Sequence, residues 1–130
     1  MDPFASAVAL AEQIRRKEVS AVEVVSAYIE RMDRYDPEIN AIVWRNDEEV
    51  LRAAAEADAR QAAGEPLRPF HGVPIPIKEL NSVEGQPNTL ASLGISDAPQ
   101  PRSDLAVDLL AKAGFVFLGR SNSPRWDPCR

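Results

Sequence analysis

His71-Gly72-Val73-Pro74-Ile75-Pro76-Ile77-Lys78-Glu79-Leu80 is an apolar, proline-punctuated run that ends in one lysine and one acid. Its β-branched residues make Val73 to Leu80 the best strand in the chain. A lysine at the end of such a run is a catalytic candidate. Desolvation disfavours an ammonium, so a buried lysine either finds a carboxylate or becomes a base near neutral pH. The bland alternative is a strand-end lysine that snorkels its ammonium into water beside Glu79.

Outward from this run, residues 65–103 hold seven of the eleven prolines and read as strand plus long irregular loop. A loop of that length in a compact domain is usually functional. Ser103 is expected to cap a helix over 104–113, with Gly114 as its stop and Phe115 to Leu118 as a buried strand. Strand, loop, helix and strand make a crossover unit. Upstream, Val8, Ala11 and Ile14 mark a short amphipathic helix within 6–17. Ser20 and Glu23 form a capping box that opens a second helix, with Val22, Val25, Ile29 and Met32 on one face. Asp36-Pro37 should close it near Tyr35, because a residue before proline is pushed out of the helical region. Ala41 to Trp44 is a short strand or extended connector. Asn46 and Glu49 then introduce the alanine-rich helix 47–63, which ends at Gly64.

The motifs carry a resemblance. Gly72-x-Pro74-x-x-x-Lys78-Glu79 resembles the Gly-x-Pro-x-x-x-Lys-Asp element of the amidase signature family. Gly85, Thr89 and Asp104 follow in that family's order. Lys112-Ala113-Gly114-Phe115-Val116-Phe117-Leu118-Gly119-Arg120-Ser121-Asn122-Ser123-Pro124 is similar to its Ala-Gly-Ala-hydrophobic-Gly-Lys-Thr-Asn segment, with Arg120 for the usual lysine. The likeness spans roughly residues 68–124. It implies an α/β fold: N-terminal helices, then the first strand-loop-helix-strand elements of the family's mixed-sheet α/β/α fold, truncated. The chain divides accordingly into a helical part over 1–64, the start of a catalytic core over 65–124 and a non-matching tail over 125–130.

The implied chemistry is hydrolysis of a carboxamide by a Ser, cis-Ser, Lys triad, in which neutral lysine takes a proton through a bridging serine from the nucleophilic serine. A lysine serves there only if its surroundings lower its pKa. Lys78 carries over as that lysine. Glu79, longer than the usual aspartate, is an orienting or ion-pairing group. Gly72 and Pro74 shape the approach to Lys78, Gly85 and Thr89 line a loop beside the substrate channel, and Asp104 sits at a helix N-terminus. Asn122 either braces active-site loops or closes a turn with its own side chain, the second being the simpler account. No Gly-Ser-Ser-Gly occurs in the chain. Ser82, Ser92, Ser96, Ser103, Ser121 and Ser123 read as loop and cap residues. A chain with the lysine and without the serines is expected to be inactive alone. The tail 125–130 fits no element, and one possible encoding of it, read in a shifted frame, continues the family pattern, so a frameshifted or truncated product is the expectation. The second reading is a noncatalytic helical module that binds through the apolar faces of the second and third helices.

Composition narrows the remaining classes. With 45% hydrophobic and 27% charged residues, 130 residues make one globular unit. A formal charge of -5 gives no footprint for nucleic acid or an anionic membrane. No apolar stretch approaches membrane-spanning length and no signal-peptide pattern opens the chain, so the cytoplasm is the default compartment. One cysteine, Cys129, and one histidine, His71, exclude an internal disulfide and paired-histidine zinc motifs. No cofactor is expected. The expected partner is a small amide. Exposed sheet edges of a partial fold would favour self-association.

Overall fold

A computed structural model describes residues 2, 4–90, 92 and 94–123; the tail 125–130 lies outside them. The order of elements is α1 (Ala7–Arg15), α2 (Ala21–Ile39), β1 (Ile42–Trp44), α3 (Asp47–Ala62), β2 (Pro74–Lys78), α4 (Leu105–Ala113) and β3 (Val116–Ser121). The three strands lie in the order β1-β3-β2. β3 pairs parallel to β2 and antiparallel to β1, so the sheet is mixed and α4 is the crossover between the parallel strands.

Local signals explain most boundaries. The Ser20 hydroxyl accepts from the Glu23 amide while the Glu23 carboxylate accepts from the Ser20 amide, which completes the capping box. Asp58 of α3 reinforces it: its carboxylate accepts from the amides of Ala21 (2.7 Å) and Val22 (3.1 Å), two more donors that the helix start leaves open. In α1 the buried face is Leu10, Ala11 and Ile14, and Val8 is exposed, contrary to its expected place in the core. At about 100° per residue Val8 falls well off the arc those three share.

Two boundaries differ from expectation. α2 does not close at Tyr35 but runs through Pro37 to Ile39. Proline costs one helical bond there, in the last turn, and Asp36 compensates: its carbonyl accepts from Asn40 and its carboxylate from Ala41 and Ile42. Asn40 then ends the helix in the left-handed region. β3 continues past Leu118 to Ser121 because Leu118 is a bulge: Ile75 faces Phe117, and Pro76 already faces Gly119. Only glycine fits at 119. Its φ is +147°, and a Cβ there would lie 2.5 Å from the Trp44 carbonyl oxygen of β1.

The sheet has helices on both faces. Val116 and Leu118 of β3 pack with Ala21 and Val25 of α2 and with Val50, Ala54 and Ala57 of α3. Ile77 of β2 packs on the other face with Val107 of α4 and Val83. The apolar faces of α2 and α3 are therefore spent on the sheet, which removes the surface that a helical binding module would offer a partner. No helix among the described residues is long and apolar enough to cross a membrane.

Candidate active site

β2 and β3 both end at one side of the sheet, and ligands of open α/β sheets bind outside the carboxyl ends of such strands. Lys78 is the last residue of β2, in register with Ser121. Its side chain is exposed, contrary to the desolvated setting that the flanking apolar run suggests, and among the described residues it has no ion pair. The pleat explains this. Ile77 turns into the α4 face of the core, so the next side chain leaves by the opposite one, where β2 is the edge strand and Pro76 is exposed as well.

Glu79 behaves differently. It is buried, at 5% exposure, and its Oε1 accepts from the Thr89 amide (2.6 Å) and the Thr89 hydroxyl (2.9 Å). It therefore ties the long loop back onto the strand end. Asp104 does the same from α4. Its carboxylate accepts from the Ser82 amide (2.9 Å), and its own amide donates to the Ser82 carbonyl (3.0 Å). Asp104 occupies the N-cap position but gives α4 no side-chain cap. Ser103, expected to be that cap, instead accepts from the Glu84 amide across the loop. Asn122 does not close a turn of its own. Its amide group donates to the Asn40 carbonyl (2.9 Å) and its backbone amide to Ala41, which fastens the end of β3 to the entrance of β1.

Glu79, Thr89 and Asn122 line one cleft of about 570 Å³, with Ser92, Ser96 and Asp97 on the loop side. Lys78 is not among the lining residues. Gly85 lies farther along the loop, where its amide donates to Gln100. Gly72 and Pro74 stand at the opposite end of β2, about 20 Å and about 13 Å from Lys78 at the rise of a strand. They therefore shape the entrance to the strand and not the approach to the lysine. Gly72, at φ +77°, lets the chain pass where a Cβ would meet that of Ala21 at 2.7 Å.

Four of the serines are occupied as loop residues. Ser82 accepts from Asn88, Ser92 from Gly94, Ser96 from Ala98 and Ser103 from Glu84. His71 is buried, with Nε2 2.9 Å from the Ala57 carbonyl. Among the described residues no three His, Cys, Asp or Glu side chains are placed to hold a metal ion. One important side chain was read from sequence only as a charge-preserving replacement: Arg120, fully enclosed beneath the turn that follows Lys78. Its burial could have been suspected only from its position inside an apolar strand.

A parallel strand pair that presents a lysine and a buried acid at its carboxyl end, joined by a crossover helix, has the organisation of an α/β enzyme module. The amidase family model matches residues 23–127, a wider span than the 68–124 that the motifs mark. The chain belongs to the amidase signature family. It is 41% identical over 119 residues to an acylamidase of Rhodococcus erythropolis, covering 92% of this chain and 25% of that protein. It is 40% identical over 121 residues to an indoleacetamide hydrolase of Bradyrhizobium diazoefficiens, covering 93% of this chain and 23% of that protein. Among solved structures, a bacterial aryl acylamidase of the amidase signature family superposes with a TM-score of 0.83 at 27% identity, covering 93% of this chain and 26% of that one. The peptide amidase of Stenotrophomonas maltophilia gives 0.85 at 26% identity, covering 97% and 26%. The chain thus spans about a quarter of the length of the relatives it matches.

Proposed function

We propose that this chain is the lysine-bearing portion of an enzyme that hydrolyses a carboxamide C–N bond to a carboxylate and ammonia or an amine. In the complete enzyme Lys78 acts as the base of a Ser, cis-Ser, Lys triad. The observation that carries this reading is Lys78 itself: the last residue of a strand whose carboxyl end borders a cleft, beside an anchored acid, in a chain of the amidase family. A lysine serves as a base only as the neutral amine, the form that burial favours. The reading therefore requires other segments of a complete enzyme to cover Lys78 and lower its proton affinity. It calls for no cofactor, and the substrate is a small amide.

The 130-residue chain by itself does not turn over amides, since it holds no Gly-Ser-Ser-Gly segment to supply the two serines. Self-association arises from the β1 edge. β2 is protected, because Val73 and Glu79 turn their bonding groups to β3 and so leave Pro74 and Pro76, which lack an N–H, on the outer side. The test grafts residues 7–123 in place of the matching segment of the Rhodococcus acylamidase and measures amide hydrolysis. A folded, active chimera that loses about 10³-fold or more in kcat on Lys78→Ala supports the reading. Full activity of that variant, or hydrolysis by the isolated chain, refutes it.

A further inference from the structure

Arg120 is the largest side chain among the described residues that is fully enclosed, at 0% exposure. Burying a guanidinium is costly unless good geometry and compensating charge accompany it, so its position needs a reason. The bulge at Leu118 brings Arg120 level with Ile77. From there Nη2 donates to the carbonyl oxygens of Lys78 (3.4 Å), Glu79 (3.1 Å) and Asn81. The chain leaving β2 makes a tight turn, closed by the Asn81 amide on the Lys78 carbonyl at 2.9 Å, and that turn points its carbonyls at the guanidinium. Burial lowers the Arg120 pKa, and the nearby charges of Glu79 and Asp104 oppose that shift. Those same two acids hold Thr89 and Ser82. Three charged groups thus meet around one turn: Arg120 holds its carbonyls, Asp104 holds Ser82 just after it, and Glu79, within it, reaches out to Thr89.

We infer that Arg120 is a positioning residue for Lys78, gathering the carbonyls of Lys78, Glu79 and Asn81 about one guanidinium and so fixing the course of the chain out of β2. All three bonds leave one nitrogen, Nη2, while Nε and Nη1 are buried without a hydrogen-bond partner, so the task rests on one charged donor group at the end of a long side chain. The inference rests on the proposed role of Lys78 for its functional meaning.

The test uses the 130-residue chain. The amides of Glu79, Asn81, Ser82 and Thr89 are all hydrogen-bonded. Arg120→Met is expected to speed their hydrogen exchange by about tenfold or more while the amides of Val25, Ala54 and Leu118 change by less than about twofold. Acylation of lysine amines by limiting reagent is the second readout. The ratio of Lys78 to Lys17 should shift by about threefold or more in Arg120→Met and stay within about twofold of the parent in Arg120→Lys, which keeps the charge, with Lys112 as control. A purely structural arginine would not move that ratio. Unchanged exchange at the four amides in a folded Arg120→Met chain overturns the inference, as does an unmoved acylation ratio. If Arg120→Met fails to fold, the parent chain decides. The Arg120 guanidinium hydrogens should exchange about tenfold or more slowly than those of exposed Arg102, and equal rates overturn the inference. None of these readouts involves hydrolysis, so failure of the amidase reading leaves them standing and their failure leaves that reading intact.

Discussion

Glu79→Gln isolates the charge that holds the long loop to the strand end. The carboxylate accepts two bonds from Thr89, at 2.6 and 2.9 Å, from a buried position. Glutamine keeps a carbonyl oxygen that can accept both, so only the charge-assisted part is lost. Hydrogen bonds to charged groups contribute about 1.5–3 kcal/mol and neutral ones about 0.5–1.5, a difference near 1 kcal/mol per bond and about 2 kcal/mol for the pair. The loss of a neighbouring negative charge from enclosed Arg120 acts in the same direction. At an m-value of roughly 2 kcal/mol/M, the urea midpoint should fall by about 1 M with no change in slope. Thr89→Val removes only the hydroxyl bond, which is made to a carboxylate, and should cost about 1.5–3 kcal/mol. Because both changes act on that bond, the double variant should lose about 0.5–1 kcal/mol less than the sum of the singles. A midpoint shift below about 0.25 M for Glu79→Gln, or strict additivity in the double variant, would refute the clamp.

Gly119→Ala should break the pairing of β1 with β3, because the added Cβ meets the Trp44 carbonyl at 2.5 Å; the expected loss is about 3 kcal/mol or more, read by thermal unfolding, with a near-neutral result excluding this geometry. Glu23 titrates below the ordinary glutamate range because it accepts from the Ser20 backbone amide and then the Ser20 side chain. A carboxyl whose folded pKa is depressed stabilises the fold above its unfolded pKa and loses that contribution as pH falls through the folded one. Stability should thus decline on acidification below the ordinary glutamate range, and Glu23→Gln should flatten that part of the pH profile; an unaltered profile would discount the capping box. Leu105 (73% exposed) and Leu109 (56%) stand one turn apart on the outer side of α4. Sedimentation velocity should show concentration-dependent association that replacing both by glutamate reduces, and a strictly monomeric parent chain would exclude association through this face and the β1 edge alike.

Sequence alone determined the elements whose causes are local. Ser20 with Glu23, Asn46 before the alanine-rich run, and Gly114 after α4 each name a helix end through groups within a few residues, and the structure has them all. The family also followed from sequence, since the spacing of Gly72, Pro74, Lys78, Gly85, Thr89, Asp104 and Asn122 survives translation into linear text. Tertiary structure decided the rest, because the deciding partners lie far along the chain. Asn122 reaches Asn40, Asp58 reaches Ala21, and Arg120 reaches the carbonyls that follow Lys78. The bulge at Leu118 is likewise invisible in the text, being a relation between two strands. It lengthens β3, aligns Arg120 with Ile77, and so settles which charged side chain is enclosed and which is left to water. Hydrophobic flanks suggested that Lys78 was the buried cation. In the folded chain the pleat turns Lys78 outward, and the enclosed cation is Arg120, because burial depends on the direction of a side chain and not on the polarity of its sequence neighbours.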